Sequence, residues 1–529
     1  MRRQAKRRVL QTLPLMPTTR SDTSQPDQDL LSRTNPPDAD LPMDVESARL
    51  RLESVWENCD DLEYRSLEVA CGRLLIVWLK PLVGKDIAQA GIIEPLSRAV
   101  SELVSMQDVR RRIWSPTIHA HRTWSATDSA LAEGNMMVFV DGSAEVLGVD
   151  VNAFQARPIG KAEAEPSVIG PQNAFVEDVD KNIGLIRTIV KTPQFKVELH
   201  VVGQLSQTKV AVCYLGNLCK PELVTEVRAR LGRVKLDGVL DLNMIRESTN
   251  DAPFSLFPLD QTTERPDRVA AALLQARIAI LCDGSPAAMM LPATFMNHLQ
   301  SHEDYYLNFV AAGMVRVLRH VMYWSSFLLP ALFVSIVAYH PQMVPTQLLV
   351  SLAASHEGVP FPSAIEALIM VLIFEALREA GIRLPKAVGQ SVSIVGALVL
   401  GQAAVAAGLV SPAMVIVVAL SGVASFTIPN YALSYTNRLL SIVFLLLASV
   451  FGLLGVSIGM FILLTHLVSL RSYGVPYLAP IAPLEWKSLL RDTFFRAPWW
   501  NMQSRPALME PQQSARERTP RPGPESGRR

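Results

Sequence analysis

Apolar and polar positions divide the chain into unlike stretches. Residues 46–310 mix short apolar runs with charged segments, residues 321–470 carry long apolar runs, and both ends are polar. In the first stretch Arg73 to Leu79 (RLLIVWL) reads as a buried strand and Lys85 to Val104 carries helical spacing. Met136 to Val140 and Glu145 to Val149 flank Asp141-Gly142, a hairpin-turn pair. A similar order follows later. Lys209 to Leu215 is strand-like, Glu222 to Leu231 helical, and Ile278 to Leu281 reaches a second Asp283-Gly284 turn before Ala287 to Leu291. Two related α/β subdomains are one reading, and a chance recurrence of a common order is the other. Phe175 to Lys191 is a charged helix that could join them.

The apolar stretch predicts about five membrane spans. Val321 to Tyr339 holds Pro330, and a mid-span proline favours a kink. Arg316 and Arg319 precede it, while the loop from His340 to Pro362 has neither Lys nor Arg, so the positive-inside rule puts the first region in the cytoplasm. Ser363 to Ala380 follows, with Glu366 placed for a capping box with Ser363 and Gly381 as a stop. Gly389 to Ala407 is the third span. Ser411-Pro412 is a tight external turn, and Ala413 to Ile428 returns inward. Leu439 to Leu470 reads as one long tilted helix, with a hairpin broken near Gly455 as the competing reading. The single helix puts the tail outside, despite its Arg471, Lys487, Arg491 and Arg496.

Ionisable residues within such spans are functional candidates. Glu366 is the ion-pathway candidate, because one carboxylate per subunit of an oligomer forms a ring that favours cations. Its bland alternative is a cap on its own helix. Glu375 lies nine positions on, on the opposite face, with Arg378 one turn further as its partner. Gly452, Gly455 and Gly459 make a small-residue surface suited to helix contact between subunits.

Composition narrows the function classes. A net charge of +1 over 529 residues lacks the basic field of a nucleic-acid binder. Five cysteines, all before residue 283, fit neither a disulfide framework nor a zinc pattern, so no metal or cofactor is expected. The basic N-terminus has no apolar run of signal-peptide length. No nucleotide, hydrolase or metalloprotease motif is present, and an enzyme is the least supported class. In TTERPD (Thr262 to Asp267) a threonine reads as the helix start, with Glu264 and Asp267 favouring its positive end. The resulting division is a disordered leader (1–45), an α/β subdomain (46–165), a linker helix with a second α/β subdomain (166–310), a transmembrane domain (311–470), an interfacial Pro- and aromatic-rich segment (471–504) and a disordered tail (505–529).

Several segments together resemble the GerA family of spore germination receptor subunits, specifically the A subunit. They include Gly170 to Arg187, Phe257 to Asp267 with Glu264, Arg265 and Asp267, Asp283 to Pro286, and Asp304 to Tyr306. VPFP with Pro360 and Pro362, FEALREAGIRLP with Glu375 and Arg378, Ile394 to Pro412, FTIPNY with Pro429, and Ser472 to Pro480 complete the set. The resemblance implies a place in the inner spore membrane beside a transporter-like B subunit and a lipoprotein C subunit. It also implies a nutrient germinant, bound directly or through the B subunit, and an oligomeric, channel-forming role. A non-conducting scaffold or a secondary transporter are the alternatives. The chain departs from the family at Gln172, Asn173 and Ala174, at Ile169 and Thr188, and at His356, where an arginine commonly stands. The first three weaken the expectation of a charged contact between subdomains, and His356 could make the external loop pH-sensitive.

Overall fold

The structure, a computed structural model, describes residues 41–151, 162, 165, 167–383, 401–517 and 519–523. Most of the expected leader, and Gly389 to Leu400 of the expected third span, lie outside the described residues.

Two five-stranded antiparallel sheets form the first half. Helix α1 (Val45–Val55) precedes β1 (Leu62–Val69) and β2 (Gly72–Leu79); β3 (Ile118–His121), α2 (Trp124–Ala132), β4 (Met136–Val140) and β5 (Val146–Val149) follow. The second unit runs α3 (Val179–Ile189), β6 (Phe195–Val202), β7 (Thr208–Leu215), α4 (Pro221–Leu231), β8 (Gln261–Thr263), α5 (Pro266–Leu273), β9 (Ile278–Cys282) and β10 (Ala288–Leu291). The strand orders are β1-β2-β4-β5-β3 and β6-β7-β9-β10-β8, the same order twice. Period-two alternation sends Leu75, Val77 and Phe139 to α1 and α2, and Leu74, Ile76 and Val138 to a second core on the other face. The sheet of the second unit is likewise covered on both faces.

The units share a finer device. Asp141 Oδ1 accepts the Val45 N–H at 2.9 Å, and Asp283 Oδ1 accepts the Val179 N–H at 3.1 Å. Each hairpin-turn aspartate therefore holds the first turn of a helix that its partner aspartate, Asp44 or Asp178, caps. Gly142 and Gly284 supply the positive φ of the two turns, 78° and 83°.

Two local expectations change. Lys85 to Val104 is helical only from Lys85 to Arg98, through a π-turn at Gln89–Ile93, because Pro95 has no N–H to continue an α-helical ladder. Thr262 and Thr263 belong to β8, and α5 starts one step later, with Arg265 at the cap position and Pro266 first in the helix. The pairing of Thr263 with Ala288 claims the threonine for the sheet.

Beyond the sheets come α6 (Phe309–Tyr339), α7 (Thr346–His356), α8 (Ser363–Arg383), α9 (Pro412–Ser425) and α10 (Tyr431–Ser469). Helices α6 and α10 are long and apolar enough to cross a bilayer. Helix α10 is a hairpin, not one rod. Gly452 has φ 58° and ψ −141°, a non-helical conformation that reverses the chain. A Cβ on Gly455 would collide with the carbonyl oxygen of Leu447, and one on Gly459 would lie 2.7 Å from the Leu447 side chain and 3.2 Å from Phe444. Such contacts are out of reach along a straight helix, where eight residues span about 12 Å. The two ends meet the same loop: Thr436 Oγ1 donates to Leu256 O, and His466 Nε2 sits 3.1 Å from Ser255 Oγ. The long-helix expectation is corrected, and the tail returns to the side of the sheets.

The tail is docked as well. Phe295 N–H donates to Tyr477 O at 2.7 Å, and Gln512 N–H to Leu218 O at 3.0 Å. Arg505 and Arg516 N–H groups close a small turn on Ser514 and Gln503, and Arg505 Nε reaches Leu274 O at 3.0 Å. Residues 505–517 thus lie along the second unit, where Arg and Pro content alone suggested disorder.

Candidate functional site

The two sheet units are tied by charge at Arg187. Its guanidinium, 1% exposed, meets Asp61, 2% exposed, with Nη2 to Oδ1 at 2.7 Å, and lies 4.9 Å from the Phe195 ring. Lys80 and Asp180 add a second bridge at 2.8 Å. Val197 exchanges backbone bonds with Asn58 and Asp60 at 3.0 and 2.9 Å. A charged contact between the units therefore exists despite the departures at Gln172, Asn173 and Ala174.

A second cluster joins the sheets to the first long helix. Arg265, buried, pairs with Asp267 through Nε and Nη2 at 3.1 and 3.0 Å, and its Nη1 donates to Ser167 Oγ at 2.8 Å. Tyr306 OH donates to Asp267 at 2.7 Å, while Gly170, φ 102°, packs where a Cβ would meet the Tyr306 ring. Glu264 contributes its carbonyl, which accepts Phe175 N–H at 2.7 Å. The TERPD motif thus pins the linker and the chain just ahead of α6.

The neighbouring Asp304 is the centre of this junction. Its carboxylate, 1% exposed, accepts from Arg316 Nε at 3.0 Å and from Arg319 Nη1 and Nη2 at 2.9 and 3.1 Å. Arg316 Nη1 also reaches Asp492 Oδ1 at 3.0 Å, Tyr305 OH bonds the same carboxylate at 3.0 Å, and Arg496 Nη1 donates to Leu307 O at 2.8 Å. Burial would raise the Asp304 carboxyl, but the Arg319 and Arg316 guanidiniums outweigh it and hold it below the usual range. One carboxylate thereby joins the loop after the second sheet, α6 and, through Arg316, the tail. The sequence reading used Arg316 and Arg319 only as markers of sidedness and missed Asp492 and Arg496. The spacing of Arg316 and Arg319, three apart on one helical face after DYY, was the available signal.

Two polar layers lie further along the helices. At the inner one Glu375 meets Arg378 at 3.1 Å and Arg438 at 3.6 Å; Arg378 donates to Ser425 Oγ at 2.7 Å and lies over the Phe374 and Phe426 rings. Pro429 precedes Asn430, whose side chain accepts Leu433 N–H at 3.0 Å and starts α10. At the outer layer Glu366 is fully buried. Its Oε2 accepts the Ser411 N–H at 2.8 Å, and His356 Nδ1 lies 3.0 Å from Oε1. Pro362 O takes the Glu366 N–H at 3.1 Å and Ser363 is already helical, so the expected box on its own helix does not form. Glu366 instead serves the start of α9. Its helix also runs past Gly381 to Arg383. Pro360 and Pro362 are exposed in the turn before α8. Gly452, Gly455 and Gly459, expected at subunit contacts, are buried within this chain: Gly455 and Gly459 where the hairpin halves meet, and Gly452 where a Cβ would lie 2.9 Å from the Tyr339 ring.

Among the described residues no His, Cys, Asp and Glu side chains gather to hold a metal, and all five cysteines are free thiols. The profile of the Bacillus/Clostridium GerA spore germination protein family matches residues 51–508. The chain belongs to the GerA family. Spore germination protein KA of Bacillus subtilis is 38% identical over 459 residues, covering 86% of this chain and 84% of that protein. An uncharacterized membrane protein of the same organism, YfkQ, is 38% identical over 460 residues, 86% and 89% of the two chains. Spore germination protein GerLA of Bacillus cereus is 35% identical, covering 86% and 93%. Among solved structures, the N-terminal domain of the A subunit of the Bacillus megaterium germinant receptor GerK3 aligns at 24% identity and a TM-score of 0.36, over 49% of this chain and 98% of that one. In this GerA protein the motifs Gly170-Pro171, TERPD and DYY, far apart in sequence, converge on the junction ahead of α6.

Proposed function

We propose that this chain is the A subunit of a spore germinant receptor in the inner spore membrane. Its strand-rich region faces the cytoplasm, and it passes a nutrient signal into a membrane bundle that conducts cations as an oligomer. A transporter-like B subunit and a lipoprotein C subunit are the partners this role calls for. The observation that carries the reading is the Asp304 junction, where one buried carboxylate joins the loop after the second sheet to α6, and Arg316 carries the link on to Asp492 of the tail. A displacement in the sheets cannot reach that loop without either moving α6 or breaking charge-assisted bonds, and a buried bond of that kind is expensive to break. The junction therefore works as a rigid linkage between sensing and membrane parts.

Glu366 enters this scheme as a gate element. Oε2 accepts the Ser411 N–H, and the His356 imidazole stands 3.0 Å from Oε1, so conduction past Glu366 requires those contacts to open. The same contacts favour a second reading, a signalling subunit that conducts nothing and uses Glu366 to hold α7, α8 and α9 together. Nutrient-triggered monovalent cation release from spores separates the two. Gene deletion should abolish release, and Glu366→Gln, at wild-type protein level by immunoblot, should change its rate. Unchanged release from the point mutant, with release lost on deletion, would sink the conducting role of Glu366 and leave the scaffold.

A further inference from the structure

A cavity of about 410 Å³ opens between α5 and the docked tail, beside the start of α6. Arg277 on its wall is 4% exposed and has no carboxylate partner among the described residues. Its Nη2 donates to Asn297 Oδ1 at 2.7 Å, but that oxygen already accepts Thr294 N–H at 3.0 Å and Thr294 Oγ1 at 2.8 Å. Arg277 Nε is buried with no acceptor. Burial pushes this guanidinium down to about 10, the direction expected of a cation held without an adequate counter-charge.

Other cations face the same space. Arg505 spends its guanidinium on backbone carbonyls, those of Leu274, Gln513 and Ala515, and Arg516 stands beside it. Arg268 is matched by Glu165 at 2.7 Å. The wall carboxylates are Asp267, already paired with Arg265, and Glu517. Trp499 and Tyr305 add aromatic surface. Buried charges are ordinarily paired, and guanidiniums on a shared cavity match phosphate geometry through bidentate bonds.

We propose that this cavity binds a phosphate-bearing anion, with Arg277 at its floor and Arg505 and Arg516 closing from the tail. A free phosphorylated metabolite and an anionic phospholipid headgroup present the same group, and the cavity lies next to the first membrane helix, where either has access. The bound anion supplies the counter-charge that Arg277 lacks and bridges the tail to the second sheet unit. The proposal does not rest on the receptor reading: Arg277, Arg505 and Arg516 take no part in the bonds of the Asp304 junction, although Tyr305 and Asp267 belong to both places.

The test uses the full chain in a neutral detergent, with inorganic pyrophosphate as the soluble probe in calorimetric titration and thermal unfolding at constant ionic strength. Saturable binding and a raised unfolding temperature are expected. Arg277→Gln should weaken binding by about tenfold or more, the loss of a bidentate charge-assisted contact. Without pyrophosphate the same variant should unfold at the wild-type temperature or above, because it removes an uncompensated buried charge; a purely structural arginine would instead lower it. Arg516→Gln, in the tail, should weaken binding with little change in unliganded stability, whereas Arg505→Gln, which also gives up the bonds to the Leu274, Gln513 and Ala515 carbonyls, should lower both. Nanodiscs of phosphatidylglycerol that suppress pyrophosphate binding, when phosphatidylcholine discs do not, would identify the lipid headgroup as the source; binding equal in both would identify a soluble ligand. No saturable binding to the wild type, or binding unaltered in all three variants, would overturn the proposal.

Discussion

Arg187 and Asp61 show what single residues contribute here. The pair is buried between the two sheet units, where water cannot replace a lost partner. Asp61→Asn should therefore destabilise the chain by about 3–5 kcal/mol, read from denaturant unfolding, whereas Asp61→Asn with Arg187→Met should cost less than the single change. Glu198 gives a pH signature. Burial opposes its ionisation, but the His200 imidazole 3.7 Å away and hydrogen bonds from Arg228 and Tyr214 outweigh it and hold the carboxyl at about 2. Its folded value is depressed below an unfolded value of about 4.3, so its contribution is full above that value and disappears as pH falls toward about 2. The stability gap between wild type and Glu198→Gln, followed by urea midpoints, should stay constant near neutrality and close across that acid window. A gap unchanged down to about pH 2 would contradict the assigned hydrogen bonds.

Among the elements, α10 most changes the view of the molecule. A run of apolar residues from Leu439 to Leu470 carries no mark of direction, and length favours a single tilted helix. The reversal is decided by backbone freedom at Gly452 and by the missing side chains of Gly455 and Gly459, which let the two halves touch. Gly455→Val should abolish accumulation of folded protein, because the Leu447 carbonyl occupies the space of the new Cβ. The hairpin also fixes sidedness. In a cysteine-free background, Lys487→Cys should react with an impermeant maleimide from the same face of the membrane as Arg65→Cys. Labelling from opposite faces would restore the single long helix. Strands such as β2, β4, β7 and β9 were legible because continuous apolar runs and Asp-Gly turns mark them, while β1, β3, β6 and β8 were not, since polar residues interrupt their apolar faces. The docked tail was equally hidden: backbone hydrogen bonds to Leu218 and Leu274 leave no trace in composition.

For the whole molecule, the motifs announced the family and the division into strand-rich and helical parts, yet not how the parts are joined. Glu366 was legible as a costly carboxylate, but its partner Ser411 lies 45 residues away and only packing brings the α9 start to it. Asp304 was one residue in a short DYY signature; its weight comes from Arg316, Arg319 and, through them, Asp492 meeting it in three dimensions. The two sheet units are locked to each other at Arg187, the second unit is locked to α6 at Asp304, and the tail returns along the hairpin to close the junction. Such a chain of buried charge contacts suits a molecule that moves as coupled bodies. The measurement that tests this most directly is nutrient-triggered cation release from spores carrying Asp304→Asn or Asp304→Glu, each compared with wild type at matched protein level. The account predicts that release is lost in the asparagine variant and partly restored by glutamate, which keeps the charge that Arg316 and Arg319 require. Wild-type release from Asp304→Asn spores at wild-type protein level would contradict it.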